Sequence, residues 1–387
     1  MFTHEHKDFS KNPYPYLKDL RLNDPIHLTP EGVIVLTRYD DVSKFLKSQD
    51  YTRQIKESDS DVVHTIFDLH ALDHAKLRRF VSPIFSPQSI KKLSDSMDIR
   101  INKHISKALE KENVDIVNDI ALPIVFGSLS SMLGIHSSDY EHIKEWAGAI
   151  ISLMDTMSSF ETKKKGLKTA KEFFIHMTNS IYSKNYANTN SIIPLLKNTE
   201  IDNIKLTPEE LVSMICIIYI AGFETTINSI ASSLYNLMGK EEEIYKIKNN
   251  NYPNFGIADE LLRYTSTVQL VLRRSLKDQI FESKNDSKII EKDQIVFLHL
   301  GSANRDEDVF SSAEDINIGR HNANRHLAFA SGAHYCLGSN LAKMQVEKVV
   351  KGFLLKVKNL ELVEEPILRN NISLRGYDHL YMRYDIV

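Results

Sequence analysis

The sequence predicts a mainly α protein with small β-sheets. Three observations predict it. One long apolar helical pattern covers 207–238, amphipathic stretches follow one another through 87–200, and short β-branched runs stand near both ends. No repeat, low-complexity linker or change of composition marks a boundary, so the 387 residues are read as one domain, 1–387.

The elements follow in order. Residues 32–48, GVIVLTRYDDVSKFLKS, begin with a β-branched run and pass into the helical spacing of Val42, Phe45 and Leu46. Residues 73–81, DHAKLRRFV, predict a basic helix that the prolines of SPIFSP end. Thr207 caps the long helix, Pro208 takes its first position and Glu210 completes a capping box. From Pro208 to Met238 that helix would run about 46 Å, roughly the width of the molecule, so it should cross the core. KIKNNN (246–251) reads as a surface loop, 288–300 as strand around a turn, and the final LYMRYDIV as a strand.

Composition excludes several functions. With 48 basic and 51 acidic residues the net charge is −3, which gives nucleic acid no electrostatic purchase. Two cysteines cannot build a disulfide framework and fit a reducing compartment. The N-terminus, MFTHEHKDFSKNPYPYL, has no apolar core of the kind a signal peptide needs. The longest apolar run, 211–223, is shorter than the ~20 residues a bilayer requires. A cytoplasmic protein without a membrane anchor is therefore expected.

Four motifs interrupt these patterns. In AGFETT (221–226), Gly222 loosens the helix and Glu224 would be costly to bury alone. Read by itself, the segment is a helix–helix contact at Gly222 with Glu224 facing solvent; the other reading is a polar notch beside a ligand. In ELLR, Glu260 and Arg263 stand three apart on a helix and can meet, most simply as a surface ion pair. His74 and Arg78 share one helical face, and Arg273 and Arg274 lie among apolar residues, where a cation asks for an anion.

The fourth motif is FASGAHYCLG, 329–338. A zinc site would need more Cys or His ligands, and a nucleophilic cysteine a positioned base, for which His334 is near only in sequence. A haem iron needs a single sulfur from that face. Gly332 and Gly338 would let the backbone pass close to a flat macrocycle, and Phe329 could shield the sulfur. SNLAKMQVEKVVKGFLLKV is strongly helical, so Cys336 would precede a helix N-terminus that favours a thiolate.

Phe329–Gly338 resembles the haem-binding loop of the cytochrome P-450 monooxygenases. AGFETT resembles that family's oxygen-activating helix, ELLR its Glu-x-x-Arg pair, and HLGSANRDEDVF (299–310) the strand and helix that follow. The motifs come in the family's order and cover nearly the whole chain. The resemblance implies a single-domain P-450 fold, with haem b (iron protoporphyrin IX) between the long central helix and the cysteine-loop helix. It implies Cys336 as axial ligand and His74, Arg78, Arg273 and His334 as partners of the propionates, with Phe329, Gly338, Gly222 and Ala221 also at the haem. Glu224 and Thr225 match the acid–alcohol pair that delivers protons when O2 is activated. Glu260, Arg263 and Arg320 match a structural triad. Ala330 stands where glycine is common and Thr267 where proline is frequent; Ala330 needs only a permissible backbone angle. His326 matches a common family position and is read as structural.

The implied reaction inserts one oxygen atom of O2 into a lipophilic small molecule, by hydroxylation or epoxidation. A peroxide-driven peroxygenase, a haem-binding sensor or carrier, and a cysteine hydrolase remain as alternatives. Electrons would come from a separate ferredoxin or flavodoxin with its NAD(P)H reductase, docking near Lys76, Arg79 and Lys343. Expected pocket residues are Phe67, Ile217, Ile218, Ala221, Val268, Leu270, Val271, Tyr377 and Leu380. A monomer that binds neither nucleic acid nor membrane completes the expectation.

Overall fold

The computed structural model describes residues 9, 11–53, 71–135, 140–154, 158–182, 191–284, 286–369 and 371–387. Phe67 lies outside the described residues.

Helices α1 (Tyr14–Asn23), α2 (Tyr39–Lys47), α3 (Ala71–Val81), α4 (Ser94–Ala108), α5 (Leu122–Leu133), α6 (Tyr140–Ile151), α7 (Phe160–Tyr182), α8 (Pro208–Leu237), α9 (Ala258–Thr265) and α10 (Ser339–Leu354) are the main helices that frame the site. The centre is α8, 30 residues long and packed against α5, α7, α9 and α10. Its capping box is present: Thr207 Oγ1 accepts from Glu210 N at 3.1 Å, and Glu210 Oε2 accepts from Thr207 N at 2.8 Å. Leu211, Ile215, Tyr219, Phe223, Ile230 and Leu234 are buried along it, so apolar burial rather than helix propensity holds this helix in place.

Strands β1 (Ile26–Leu28), β2 (Ile34–Leu36), β3 (Tyr51–Thr52), β5 (Val271–Ser275) and β8 (Ile295–Leu298) make a five-stranded sheet in the order β1-β2-β8-β5-β3. Only β2 and β8 run parallel. Strand β4 (Asn113–Asp115) joins β10 (Tyr381–Ile386) and β9 (Val357–Leu362), and β6 (Gln279–Glu282) pairs with β7 (Ser287–Ile290) as a hairpin. The mainly helical fold class with small sheets is thus observed. So are the strand-to-helix turn at 34–47, the helix over 71–81 and the final strand.

Two local expectations are corrected. KIKNNN is not all loop: Lys246–Lys248 end the helix Glu241–Lys248, whose acidic first turn and basic last turn suit the helix dipole. Within 87–200 the chain also forms β4 and a π-helical turn, Ile116–Ala121. Asp115 organises that turn, accepting from Val117 N at 3.0 Å, Asn118 N at 3.3 Å and Leu380 N at 3.2 Å. Leu380 is remote in sequence, so periodicity could not reveal that partner.

Two stretches, Ile116–Leu133 and Pro208–Leu237, are long and apolar enough to cross a bilayer by length and composition. Two thirds of each (67%) is buried inside the protein, as core helices require.

Candidate active site

The cysteine loop is built by close backbone contacts. Cys336 N donates to Phe329 O at 3.0 Å, closing the turn, and Gly338 caps α10. Gly332 sits at φ +72; a Cβ there would meet Leu46 O at 2.6 Å and Lys47 Cα at 3.1 Å. Its lack of a side chain therefore serves the passage of the loop over the end of α2. A Cβ at Gly338 meets no protein atom within 4 Å, so open space lies beside the turn.

Ala330 has φ +57, in the left-handed region that disfavours a side chain. The motif's departure from glycine is therefore strained rather than neutral. Ala330→Gly is expected to stabilise the protein by up to about 1 kcal/mol, after allowance for glycine's greater freedom when unfolded. A comparison of urea-unfolding midpoints checks this; a lower midpoint would refute it.

Cys336 is half-buried and unpaired. Burial pushes its thiol up, against the Gly338 N–H and the charge of Arg78, which pull it down. The helix N-terminus alone therefore does not yield a free thiolate, and the sulfur lacks the activation a hydrolytic nucleophile needs. A metal cation at the sulfur would supply the missing charge. Among the described residues no group of three His, Cys, Asp or Glu side chains can hold a metal, which removes the zinc reading there.

The propionate candidates converge. The His74 and His334 rings meet with centroids 4.3 Å apart and planes tilted by 41°. Arg78 Nη2 donates to Tyr335 O at 2.6 Å, beside the cysteine. Arg273, on β5, is only 5% exposed; it donates to Leu272 O at 2.8 Å and pairs with no carboxylate among the described residues. Burial and the nearby Arg53 push its guanidinium down to about 10. His334 is pushed down to about 3 by burial, then by Arg53, His74, Arg273 and Arg78, and its Nδ1 is buried with no partner among the described residues. Arg53 is a member the sequence reading missed; it lies in an irregular segment with no helical spacing to mark it. Five basic groups thus face one another where a dianion would fit.

This predicts effects of opposite sign for Arg273→Met. The apoprotein should gain on the order of 1–3 kcal/mol, because a buried cation without a counter-charge is removed. The haem-loaded protein should release haem faster than wild type. Apoprotein urea titration and haem transfer to an excess of apo-globin read the two; a destabilised apoprotein would contradict the assignment of strain to Arg273.

The middle of α8 presents a second surface. Ile217, Ile218, Gly222 and Thr225 are half-buried and Ala221 is exposed, although the helix is buried on both sides of them in sequence. Residues 217, 221 and 225 share one face by their four-residue spacing. Thr225 Oγ1 donates to Ala221 O at 2.7 Å. A Cβ at Gly222 would lie 3.3 Å from Leu129 on α5, so the helix–helix reading of Gly222 holds. For Glu224 it does not: this carboxylate is 5% exposed, forms an ion pair with Arg369 and accepts from Asn228 Nδ2 at 3.2 Å. Arg369 in turn donates to Asp378 at 2.6 Å.

ELLR is no surface pair. Arg263 is fully buried and grips Glu260 through Nε at 2.7 Å and Nη2 at 2.9 Å. Arg320 Nε lies 3.0 Å from Glu260 Oε2. Both arginines also donate to backbone carbonyls of 304–315, so the predicted trio meets and anchors the segment leading to the cysteine loop. Thr267 places its hydroxyl 2.8 Å from Ser229 Oγ on α8, a link proline could not make.

The expected pocket residues differ in their surroundings. Val268 and Val271 are half-buried. Leu270 points into a separate apolar cluster with Phe9, Tyr14 and Leu17. Leu380 is fully buried and offers no surface. Tyr377 packs on Tyr235 and lines an outer groove of about 640 Å³ with Tyr14 and Tyr264. Their alternation and distance in sequence gave the region but not the facing side. The docking cations are also already occupied: Lys76 pairs with Glu210, Arg79 with Asp202 at 2.7 Å and Lys343 with Asp259 at 2.6 Å.

One sulfur, a cluster of bases in which the buried Arg273 has no carboxylate partner among the described residues, and an accessible face on the central helix describe a haem-binding oxygenase. A sequence model described as Cytochrome P450 matches residues 25–250 and 257–370. Polyketide biosynthesis cytochrome P450 PksS of Bacillus subtilis (strain 168) is 31% identical, with 98% of each chain covered. The solved structure of the bacillaene polyketide synthase cytochrome P450 PksS of Bacillus subtilis 168 superposes with a TM-score of 0.87 at 29% identity, covering 99% of each chain. That of P450BioI in complex with hexadec-9Z-enoic acid ligated acyl carrier protein gives 0.88 at 26% identity, covering 98% of this chain and 99% of that one. The chain belongs to the cytochrome P450 family. It is a haem-iron monooxygenase, an oxidoreductase that uses O2.

Proposed function

We propose that this monooxygenase hydroxylates or epoxidises a lipophilic acyl or polyketide-type small molecule, with electrons from a separate ferredoxin or flavodoxin and its NAD(P)H reductase. The observation that carries the site assignment is Arg273, a buried cation whose missing counter-charge a haem propionate supplies. Haem b would take Cys336 as its sulfur ligand, and Arg273, His74, Arg78 and His334, with Arg53, would hold its carboxylates. When bound, it supplies dioxygen activation, with electron donation from the thiolate favouring O–O cleavage.

The rest falls to the chain's own groups. Ile217, Ile218 and Ala221 form an apolar wall that binds lipophilic substrate and excludes water. The Thr225 hydroxyl, turned from Ala221 O, offers a proton on that same face. Glu224 can relay protons only when Arg369 loosens its hold, so the ion pair controls that relay. The substrate class is supported by the apolar wall and by the printed descriptions of PksS and of the P450BioI complex. A monomer in the cytoplasm, with 1–387 as one domain, completes the proposal.

The test is a substrate screen on haem-loaded protein with a surrogate ferredoxin and reductase. Free fatty acids, polyketide fragments and the same acyl groups on a carrier protein are compared by low-to-high-spin shift and by oxygenated product. Product from any of these classes supports the proposal. Product only from unrelated ligands, or peroxide-driven product with none from O2, overturns it.

A further inference from the structure

Two adjacent carboxylates stand in the first turn of α9, and they hold different parts of the chain. Glu260 takes Arg263 and Arg320, fixing the segment up to 320. Asp259, 1% exposed, turns to the next segment. Its Oδ1 lies 3.2 Å from His326 Nε2 and 2.6 Å from Lys343 Nζ on α10. Neither Asp259 oxygen has a well-aligned hydrogen bond among the described residues, so its hold on Lys343 is mainly one of charge, and the contact with His326 is polar.

The surroundings give these contacts a direction. His326 Nδ1 accepts from Ala328 N at 3.0 Å, which leaves the ring proton on Nε2, facing Asp259. The His326 ring lies 5.4 Å from that of Phe329, and Lys343 Nζ stands 5.8 Å above the same ring. Phe329 O accepts the Cys336 N–H. Lys343 belongs to the helix that Gly338 caps, and the Gly338 N–H reaches the Cys336 sulfur. Both backbone groups that set the cysteine's place are therefore attached to elements that Asp259 holds.

We propose that Asp259, His326 and Lys343 form a second ionic clamp, separate from the Glu260 trio, that positions the Cys336 sulfur toward the haem iron. These are positioning residues, acting on Cys336 through the loop and helix that carry it. The reason for two clamps is mechanical. Glu260 secures the chain before 320, and without Asp259 the stretch 326–338 and the start of α10 would keep freedom to shift the sulfur. Burial alone would push the Asp259 carboxyl up, but His326 and Lys343 outweigh it and hold it below the ordinary carboxylate range, so the clamp is charged at neutral pH.

The proposal rests on Cys336 being the haem ligand. The experiment compares full-length haem-loaded wild type, Asp259→Asn and Lys343→Met. Asp259→Asn keeps shape and removes charge; Lys343→Met removes the partner from a partly exposed position and serves should the first variant fail to fold. The readouts are the reduced carbon monoxide spectrum, the iron midpoint potential and haem transfer to apo-globin. Expected for each folded variant is a growing fraction of blue-shifted, non-thiolate complex and haem loss about tenfold faster, the scale of losing a group that supports a metal ligand. A folded variant with the spectrum, potential and haem retention of wild type overturns the clamp. Wild type without a thiolate-type spectrum would instead refute the ligand assignment, so the two failures are distinct.

Discussion

Cys336→Ser is expected to abolish the thiolate-type spectrum of the reduced carbon monoxide complex and nearly all turnover, while leaving the fold intact. The fold should survive because the residue's structural bonds are backbone ones, Cys336 N to Phe329 O and Ser339 N to Cys336 O. A serine oxygen can also accept from the Gly338 N–H. The chemistry should not survive, because an alcohol of high pKa cannot donate electron density as a thiolate does. The loss in turnover should be on the order of a thousandfold or more, about 4 kcal/mol of barrier. Circular dichroism, the carbon monoxide spectrum and product formation should be measured together. An unchanged spectrum would remove the sulfur–iron assignment and with it the haem site.

Arg263→Met should have the largest effect on stability, and for a different reason. The guanidinium is fully buried and makes five hydrogen bonds, two to Glu260 and one each to the carbonyls of Asn304, Ala313 and Asp315. Methionine fills much of the volume but satisfies none of these acceptors. Glu260 would keep only Arg320 as a charged partner. Breaking a buried pair from one side costs about 3–5 kcal/mol, a large share of the roughly 5–15 kcal/mol that holds a typical domain together. The urea midpoint should fall accordingly, or the protein should be recovered only as aggregate. Arg263→Lys should fare little better, because one ammonium cannot span a planar set of acceptors. A midpoint within 1 kcal/mol of wild type would show that the trio contributes little to holding the fold.

The two variants separate chemistry from architecture. Cys336→Ser should spare the fold and stop the reaction; Arg263→Met should weaken the fold without removing a proposed reacting group. Ala330→Gly and Arg273→Met extend this contrast to strain and electrostatics held within the site itself.

What was legible in the sequence depended on the range of the interactions that express it. Gly222, Glu224 and Thr225 were visible as interruptions in an apolar helix, and the single cysteine between glycines was visible because so few residues suit that turn. Glu260 and Arg263 were visible as a pair through helical spacing. Their burial was not, since exposure depends on Arg320 and the 304–315 backbone arriving from elsewhere. Glu224 is the plainest case: its buried ion pair depends on Arg369, far along the chain. Leu270 and Tyr377 lie in irregular segments, which carry no period to show where a side chain faces; the structure packs Leu270 with Phe9 and Tyr14, and Tyr377 on Tyr235.

The sequence by itself determined the helical class, the central helix with its cap, the family and the sulfur at 336. Local periodicity, capping chemistry and an ordered set of short motifs are all properties of neighbouring residues. Only the tertiary structure decided which charges are paired. It joined Arg53 to the basic ring, tied Lys343 inward to Asp259, and left Arg273 without a carboxylate among the described residues. A charge's environment is set by whatever folds against it, and no spacing along the chain records that.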